Sequence, residues 1–352
     1  MLNKKLFFFL FLACVKVAPS QSANALFQTG IDQRQHGRNE EAVVSLREAV
    51  RLNSTFAEGF NSLCVVYDEL DRYAEAIEAC RRALALKPGA FNTLYNLGAI
   101  YSRTRHTSEA MIVLQQSIAI NPNFAPAHYT LALTYADSQS YAAAVDSLKR
   151  AIALSSNYAA AYNELGVVYC QLKRFDEALQ AFAEASRCDP RQPHFMANLG
   201  AAYYLAGRYA EAVEELERAS KAGFTSAVLQ NNLGEAYLKL GRYDLAIDSI
   251  GEALMNSGPE ASDRAELENE LGFAYGKVKR YREASEHLAR AIDLKPEFPP
   301  AIFNLGMVKL ALNDRNAALE QYARLKTLDH DLAARLLAQI YRGQILTASS
   351  KR

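Results

Sequence analysis

Pro193-His-Phe-Met-Ala-Asn-Leu-Gly-Ala-Ala-Tyr-Tyr-Leu-Ala-Gly-Arg-Tyr-Ala-Glu-Ala-Val-Glu-Glu-Leu-Glu-Arg-Ala219, with its tail to Ser226, is one clean copy of a 34-residue unit that the chain writes nine times. The eighth place of the unit recurs as Gly30, Cys64, Gly98, Ala132, Gly166, Gly200, Gly234, Gly272 and Gly306, at steps of 34 with one step of 38. The twentieth place is alanine in every copy: Ala42, Ala76, Ala110, Ala144, Ala178, Ala212, Ala246, Ala284 and Ala318. A fixed period of this length marks a helical solenoid, because a two-helix unit has an apolar face that it cannot bury alone and must stack on its neighbours. The 352 residues therefore read as one all-α array rather than as two globular cores.

Within a copy the pattern predicts two antiparallel helices, with small residues where their backbones come closest. Leucine at the seventh place and tyrosine at the eleventh fill the space around that contact. A glycine inside a helix costs about 1 kcal/mol against alanine, so its recurrence at the eighth place needs a packing reason. The fifth copy carries Tyr162, Leu165, Gly166, Tyr169, Ala178, Phe182, Ala185 and Pro190. At those spacings the chain resembles the tetratricopeptide repeat family over residues 23 to 332. The resemblance implies a right-handed α-solenoid superhelix of helix-turn-helix repeats, a concave groove lined by the first helix of each repeat, and a role in binding other proteins.

The copies run 23–56, 57–90, 91–124, 125–158, 159–192, 193–226, 227–260, 265–298 and 299–332. The four extra residues before copy eight, with Ser257 to cap and Pro259 to open a helix, are expected to add one turn to its first helix. Beyond the last copy, Leu332, Leu336, Ile340 and Tyr341 have amphipathic helical spacing, which predicts a capping helix over residues 333–346 and a frayed tail over 347–352.

Residues 1–25 depart from the repeat. Lys4 and Lys5 precede an uncharged apolar run from Leu6 to Val15, too short for a bilayer core that takes roughly 20 residues, and small residues follow. That is the shape of a secretory signal peptide, cleaved after Ser20 or after Ala25, and it predicts a periplasmic or secreted protein. The alternative is a lipoprotein leader with Cys14 as the lipidated residue, which would anchor the chain to a membrane.

Nothing in the sequence calls for catalysis, a metal or a cofactor. The six histidines are scattered, the Leu-Gly pairs lie inside helices rather than in a phosphate-binding loop, and no nucleophile elbow is present. Lys plus Arg equals Asp plus Glu at 39 each, which gives no electrostatic reason to expect nucleic acid as a partner. Cys64 and Cys80 hold the eighth and twenty-fourth places of one copy, so a disulfide is open to them in an oxidising compartment, although two buried free thiols are the expectation. Cys170 and Cys188 fall at opposite ends of their helix pair and are not expected to bridge.

A binding face follows from helical geometry. At 100° per residue, places four, seven, eight and eleven of the first helix cluster toward the core, and places two, five, six, nine, twelve and thirteen point the other way. Asparagine is concentrated there although it is a mediocre helix former: Asn61, Asn96, Asn163, Asn198, Asn231, Asn232, Asn269 and Asn304 all occupy that face. A carboxamide both donates and accepts, which suits holding the main chain of an extended peptide or tying neighbouring repeats together. The asparagines resemble the ladder in the superhelix that feeds peptides to O-GlcNAc transferases, with interruptions at Ser62, Thr130, Glu164 and Glu270. Tyr95, Tyr129 and Tyr204, outside the repeating tyrosine places, are available to a ligand. The face carries eight acids against four bases, which favours a neutral-to-basic protein or peptide segment. The functional expectation is a non-catalytic interaction scaffold. The alternatives are a lipid-anchored structural component of a cell-envelope assembly, or a regulatory or substrate-binding subunit of a separate enzyme.

Overall fold

A computed structural model describes residues 19–258 and 263–349. These form nineteen α-helices and, among the described residues, no strand. The leader and its Cys14 lie outside the described residues up to residue 18, and Pro259 lies outside them too.

The chain divides into two compact units, residues 1–156 and 157–352. The first holds α1 (Pro19–Gln35), α2 (Asn39–Leu52), α3 (Ala57–Glu69), α4 (Tyr73–Leu86), α5 (Phe91–Arg103), α6 (Thr107–Ile120), α7 (Ala125–Asp137) and α8 (Tyr141–Leu154). The second holds α9 (Ala159–Gln171), α10 (Phe175–Cys188), α11 (Pro193–Leu205), α12 (Tyr209–Lys221), α13 (Ala227–Lys239), α14 (Tyr243–Asn256), α15 (Arg264–Lys277), α16 (Tyr281–Leu294), α17 (Pro299–Ala311), α18 (Arg315–Leu328) and α19 (His330–Ser349). Odd and even helices pair within each copy, and within each unit every pair packs on the next.

The reversal inside each pair is made at the fifteenth place, which is left-handed in all nine copies. Gly37, Gly207 and Gly241 take this conformation without penalty, while Asp71, Arg105, Gln139, Lys173, Lys279 and Asn313 take it at φ between 56° and 65°. The amide of place sixteen then donates back to the carbonyl of place eleven, as from Arg208 to Tyr203 at 2.9 Å, closing the C-terminus of the first helix. Place sixteen is often arginine, whose guanidinium stacks on that tyrosine and pairs with a glutamate three residues on: Arg208 lies 4.7 Å from the Tyr203 ring and 2.9 Å from Glu211.

The recurring glycine has its packing reason. A Cβ on Gly200 would lie 2.6 Å from Cγ of Leu216 and 3.1 Å from the carbonyl oxygen of Ala212. The same holds at Gly272 against Leu288 and at Gly98 against Leu114. The eighth place therefore faces chiefly the twenty-fourth, and the twentieth contributes its backbone. All nine twentieth-place alanines have no accessible surface. In copy nine Gly306 meets Leu336 of α19 instead, so the terminal helix completes the last core in place of a further repeat.

Three expectations are corrected. Cys64 and Cys80 are joined by a disulfide, with Cα atoms 5.2 Å apart, rather than being free thiols. The cause is the contact just described, since the eighth and twenty-fourth places bring these two short side chains together. Cys170 and Cys188 are free. The four extra residues do not add a turn to copy eight, because α15 starts at Arg264 and has 14 residues where the first helices of copies two to seven have 13. The capping helix starts earlier and runs further than 333–346: α19 begins at His330, where the Asp329 carboxylate accepts from the Leu332 amide, and it continues through Thr347 to Ser349.

Leucine in place of Ala212 has no room, and overpacking of this kind costs about 1 to 3 kcal/mol. We expect Ala212→Leu to lower the melting midpoint of the full chain by several degrees with helicity retained, as followed by circular dichroism; an unchanged midpoint would contradict the packing.

Candidate functional site

The face carrying places two, five, six, nine, twelve and thirteen is here called the A-face. In both units six of its asparagines are paired with one another. Asn96 donates from Nδ2 to Oδ1 of Asn61 at 3.1 Å in the first unit. In the second, Asn198 donates to Asn163 at 2.8 Å and Asn304 to Asn269 at 2.9 Å. Each bond joins the sixth place of one copy to the fifth place of the copy before, so the carboxamides serve as struts between repeats. Asn163 is buried and also donates to Glu164. Asn232 stands opposite Ala197 at the fifth place of the preceding copy and makes no such bond.

The three tyrosines expected to be available to a ligand each have a partner within the protein as well. Tyr95 packs edge-on against Phe124 at 5.1 Å. Tyr204 packs on Tyr209 at 5.5 Å, and its hydroxyl, pushed upward in pKa by burial and by a hydrogen bond to Glu235, is tied to that carboxylate. Tyr129 likewise has a partner within the protein. Sequence position shows where a side chain leaves the helix and not what it meets.

Two hollows that periodicity did not reveal open on the A-face. In the first unit, Glu58 and Asn61 of α3 and Phe91 and Asn92 of α5 border about 260 Å³. In the second, Phe273 and Lys277 of α15 and Phe303, Asn304 and Met307 of α17 border about 280 Å³. The second hollow is more apolar, with the Lys277 ammonium 5.0 Å above the Phe273 ring.

The charge of the face is smaller than a residue count suggests. Arg34 pairs with Glu69 at 2.6 Å and Arg103 with Asp68 at 2.9 Å in the first unit, and Glu266 pairs with Lys295 at 2.8 Å in the second. Away from the A-face, Glu268 is buried at the fourth place of its copy, where copies two and five carry Phe60 and Tyr162. Burial pushes its carboxyl up, but His287 at 2.7 Å and Arg290 at 3.1 Å outweigh that and hold it below the usual carboxylate range. Among the described residues no group of three or more His, Cys, Asp or Glu side chains is placed to hold a metal ion.

Three models of the tetratricopeptide repeat match the chain: one over residues 27–91 and 129–193, a second over 67–134 and 172–231, a third over 225–297. Together they run unbroken from 27 to 297. The chain belongs to the tetratricopeptide repeat family. Among curated proteins none matches it. Among solved structures it is similar to PilW, a type IV pilus biogenesis factor, at 19% identity and TM-score 0.56, covering 60% of this chain and 99% of that one. It is similar to PilF of Pseudomonas aeruginosa at 18% identity and TM-score 0.55, covering 62% and 100%. MamA shares 27% identity over 47% of this chain and 91% of its own, with TM-score 0.44. The first two likenesses establish the fold. Repeats of this family mediate protein–protein interaction, and the family points to a non-catalytic repeat protein.

One position on the A-face of this tetratricopeptide repeat array titrates near neutrality. Glu270 holds the sixth place of copy eight, and Asn231 the fifth place of copy seven, the two places that carry the strut elsewhere. The Asn231 Oδ1 and Glu270 Oε2 atoms are buried with no hydrogen-bond partner. Burial, aided by the neighbouring Glu235 and Glu266 carboxylates and opposed by Lys239, pushes the Glu270 carboxyl up to about 8. A neutral carboxyl brings a proton donor to a site where these two buried acceptors have none. Between the usual carboxylate pKa and about 8 the folded chain keeps a proton that the unfolded chain has lost. Stability therefore falls as pH rises through that window, by about 1.4 kcal/mol per unit from this one group, and levels off above it. We expect thermal melts between about pH 5.5 and 8.5 to show this decline, and Glu270→Gln to flatten it and to raise the midpoint at the alkaline end. A slope unaltered by Glu270→Gln would assign the proton elsewhere.

Proposed function

We propose that this chain is an exported, non-catalytic scaffold that holds an extended, neutral-to-basic protein segment on its A-face. The observation that carries the reading is the hollow between α15 and α17. Phe273, Phe303 and Met307 offer a seat for an apolar side chain. Asn304 stands in its wall with its amide nitrogen bound to Asn269 and its carbonyl oxygen not used by that bond, so the strut orients an acceptor toward a passing main chain. The A-face of the first unit, where Arg34 and Arg103 are already paired, keeps an excess of acidic groups, which supports the preference for a basic segment.

The test begins with affinity capture by the mature full-length protein, followed by titration of the captured partner. Asn232 is the informative position because it forms no strut. Asn232→Ala is expected to leave melting unchanged while weakening binding by about 0.5 to 1.5 kcal/mol. Phe303→Ala should weaken it further, and raised salt should weaken it again. Full affinity in both variants would move the binding site off this face.

Export is supported by two features. The leader precedes the array, and the Cys64–Cys80 disulfide belongs to an oxidising compartment. Cleavage after Ser20 suits the fold better than cleavage after Ala25, because Ala23 is fully buried in α1 and the second cut would remove it. Intact-mass analysis of the protein from its native host should find a chain beginning at Gln21, with Cys64 and Cys80 protected from alkylation until reduced. A chain retaining Lys4 and Lys5 with both thiols reactive would overturn the export reading, and a lipid-sized mass on Cys14 would replace it with an anchored form.

A further inference from the structure

A larger cleft lies in the first unit on the side opposite the A-face. It occupies about 780 Å³ between α2 and α4, with α3 beneath it. Its floor is apolar: Val50, Phe60, Leu63, Tyr67 and Ala79. Phe60, Leu63 and Tyr67 are the fourth, seventh and eleventh places of copy two, the edge of α3 turned away from the A-face asparagines. The banks are basic, with Arg47 and Arg51 on α2, Arg81 and Arg82 on α4, and Arg72 at the turn that precedes α4.

What distinguishes the cleft is that five arginines gather around one apolar floor, three of them without a carboxylate partner. Several arginines of other copies are paired with a carboxylate three residues away, as in Arg174–Glu177, Arg187–Glu184 and Arg218–Glu215 at 2.6 Å each. Arg51 and Arg72 follow the same habit with Glu48 and Glu75. Arg47, Arg81 and Arg82 do not: among the described residues none is within ion-pair distance of a carboxylate, although Glu78 lines the same cleft. Arg81 donates to the Tyr101 hydroxyl at 2.7 Å, and Arg82 lies 5.9 Å from the Phe60 ring. All three are exposed. A chain of zero net charge thus gathers uncompensated guanidinium groups around an apolar floor.

We propose that this cleft is a second docking surface, and that it takes an acidic protein segment carrying an apolar side chain. Carboxylates of the segment pair with Arg47, Arg81 and Arg82, for which the planar guanidinium is suited to bidentate contact, and the apolar side chain lies over Phe60 and Leu63. A protein segment is favoured over a small molecule because the banks are exposed along two parallel helices, whereas small-molecule sites enclose most of their ligand. The surface differs in sign and in location from the A-face, so one scaffold presents a basic cleft to one partner and an acidic face to another.

The probe is a capped peptide of alternating glutamate and leucine with one phenylalanine, titrated into the full mature chain by calorimetry beside its glutamine counterpart. Binding of the acidic peptide is expected to be at least about fivefold tighter than that of the neutral one, and to weaken as sodium chloride rises from about 50 to 300 mM. Arg47→Gln/Arg82→Gln should reduce it by about fivefold or more with an unchanged melting curve, since both side chains are exposed, and Arg47→Lys/Arg82→Lys should lose less. Asn232→Ala should leave it unaltered, which separates this site from the A-face reading. No binding, equal binding of the two peptides, or indifference to the arginine substitutions would overturn the proposal. So would arginine-dependent binding of phosphatidylglycerol vesicles without binding of the peptide, which would assign the cleft to a membrane surface.

Discussion

The close approach of two helix backbones at the eighth place of every copy is the constraint on which the rest depends. In the copies that carry glycine there, a side chain would meet the residue that already fills the volume: the Cβ that Gly234 lacks would run into Cγ1 of Ile250. That closeness buries the twentieth-place alanines completely and leaves the larger seventh and eleventh residues to seal the two sides. Dispersion contacts at this separation are individually small and collectively decisive, and a backbone that stood off by an ångström would forfeit many of them. The glycine propensity cost is thereby offset in each copy that carries it.

The same contact explains the exceptions. Where copy two has cysteine at both places, the side chains that would otherwise be glycine and a large apolar residue meet as a covalent bridge. Where copy nine has no following repeat, Leu336 of α19 reaches the position beside Gly306. Local preference gives way to it as well. Six non-glycine residues sit in the left-handed region at the fifteenth place, at a cost of roughly 1 to 2 kcal/mol each, because only that turn returns the second helix onto the first.

With the core occupied by the helix pairs, the two outer surfaces are left to other tasks, and they are charged differently. On the A-face, asparagine struts tie repeat to repeat, acidic groups outnumber basic ones in the first unit, and one carboxyl in the second is kept neutral by burial. On the opposite side of the first unit, five arginines, three of them without a carboxylate partner, surround an apolar floor. A repeat protein can differentiate its surfaces in this way because each side chain at a given place answers only to its near neighbours.

The repeat, its phase, the number of helix pairs and the inward-facing places were all legible in the sequence, because the period of 34 and the 3.6-residue helical period act on neighbouring residues and leave a regular trace. The asparagine-rich face was legible too, but not its use. Whether Asn198 reaches toward a ligand or toward Asn163 depends on a residue 35 positions away in the adjacent copy, and that distance exists only once the repeats stack. The bond between Cys64 and Cys80, the burial that neutralises Glu270, the commitment of Tyr204 to Glu235 and the uncompensated arginines of the α2–α4 cleft have the same origin. Sequence alone determined which residues face inward, since that is a property of one helix. The tertiary structure decided what the outward residues meet, since that is a property of two or more helices brought together by packing.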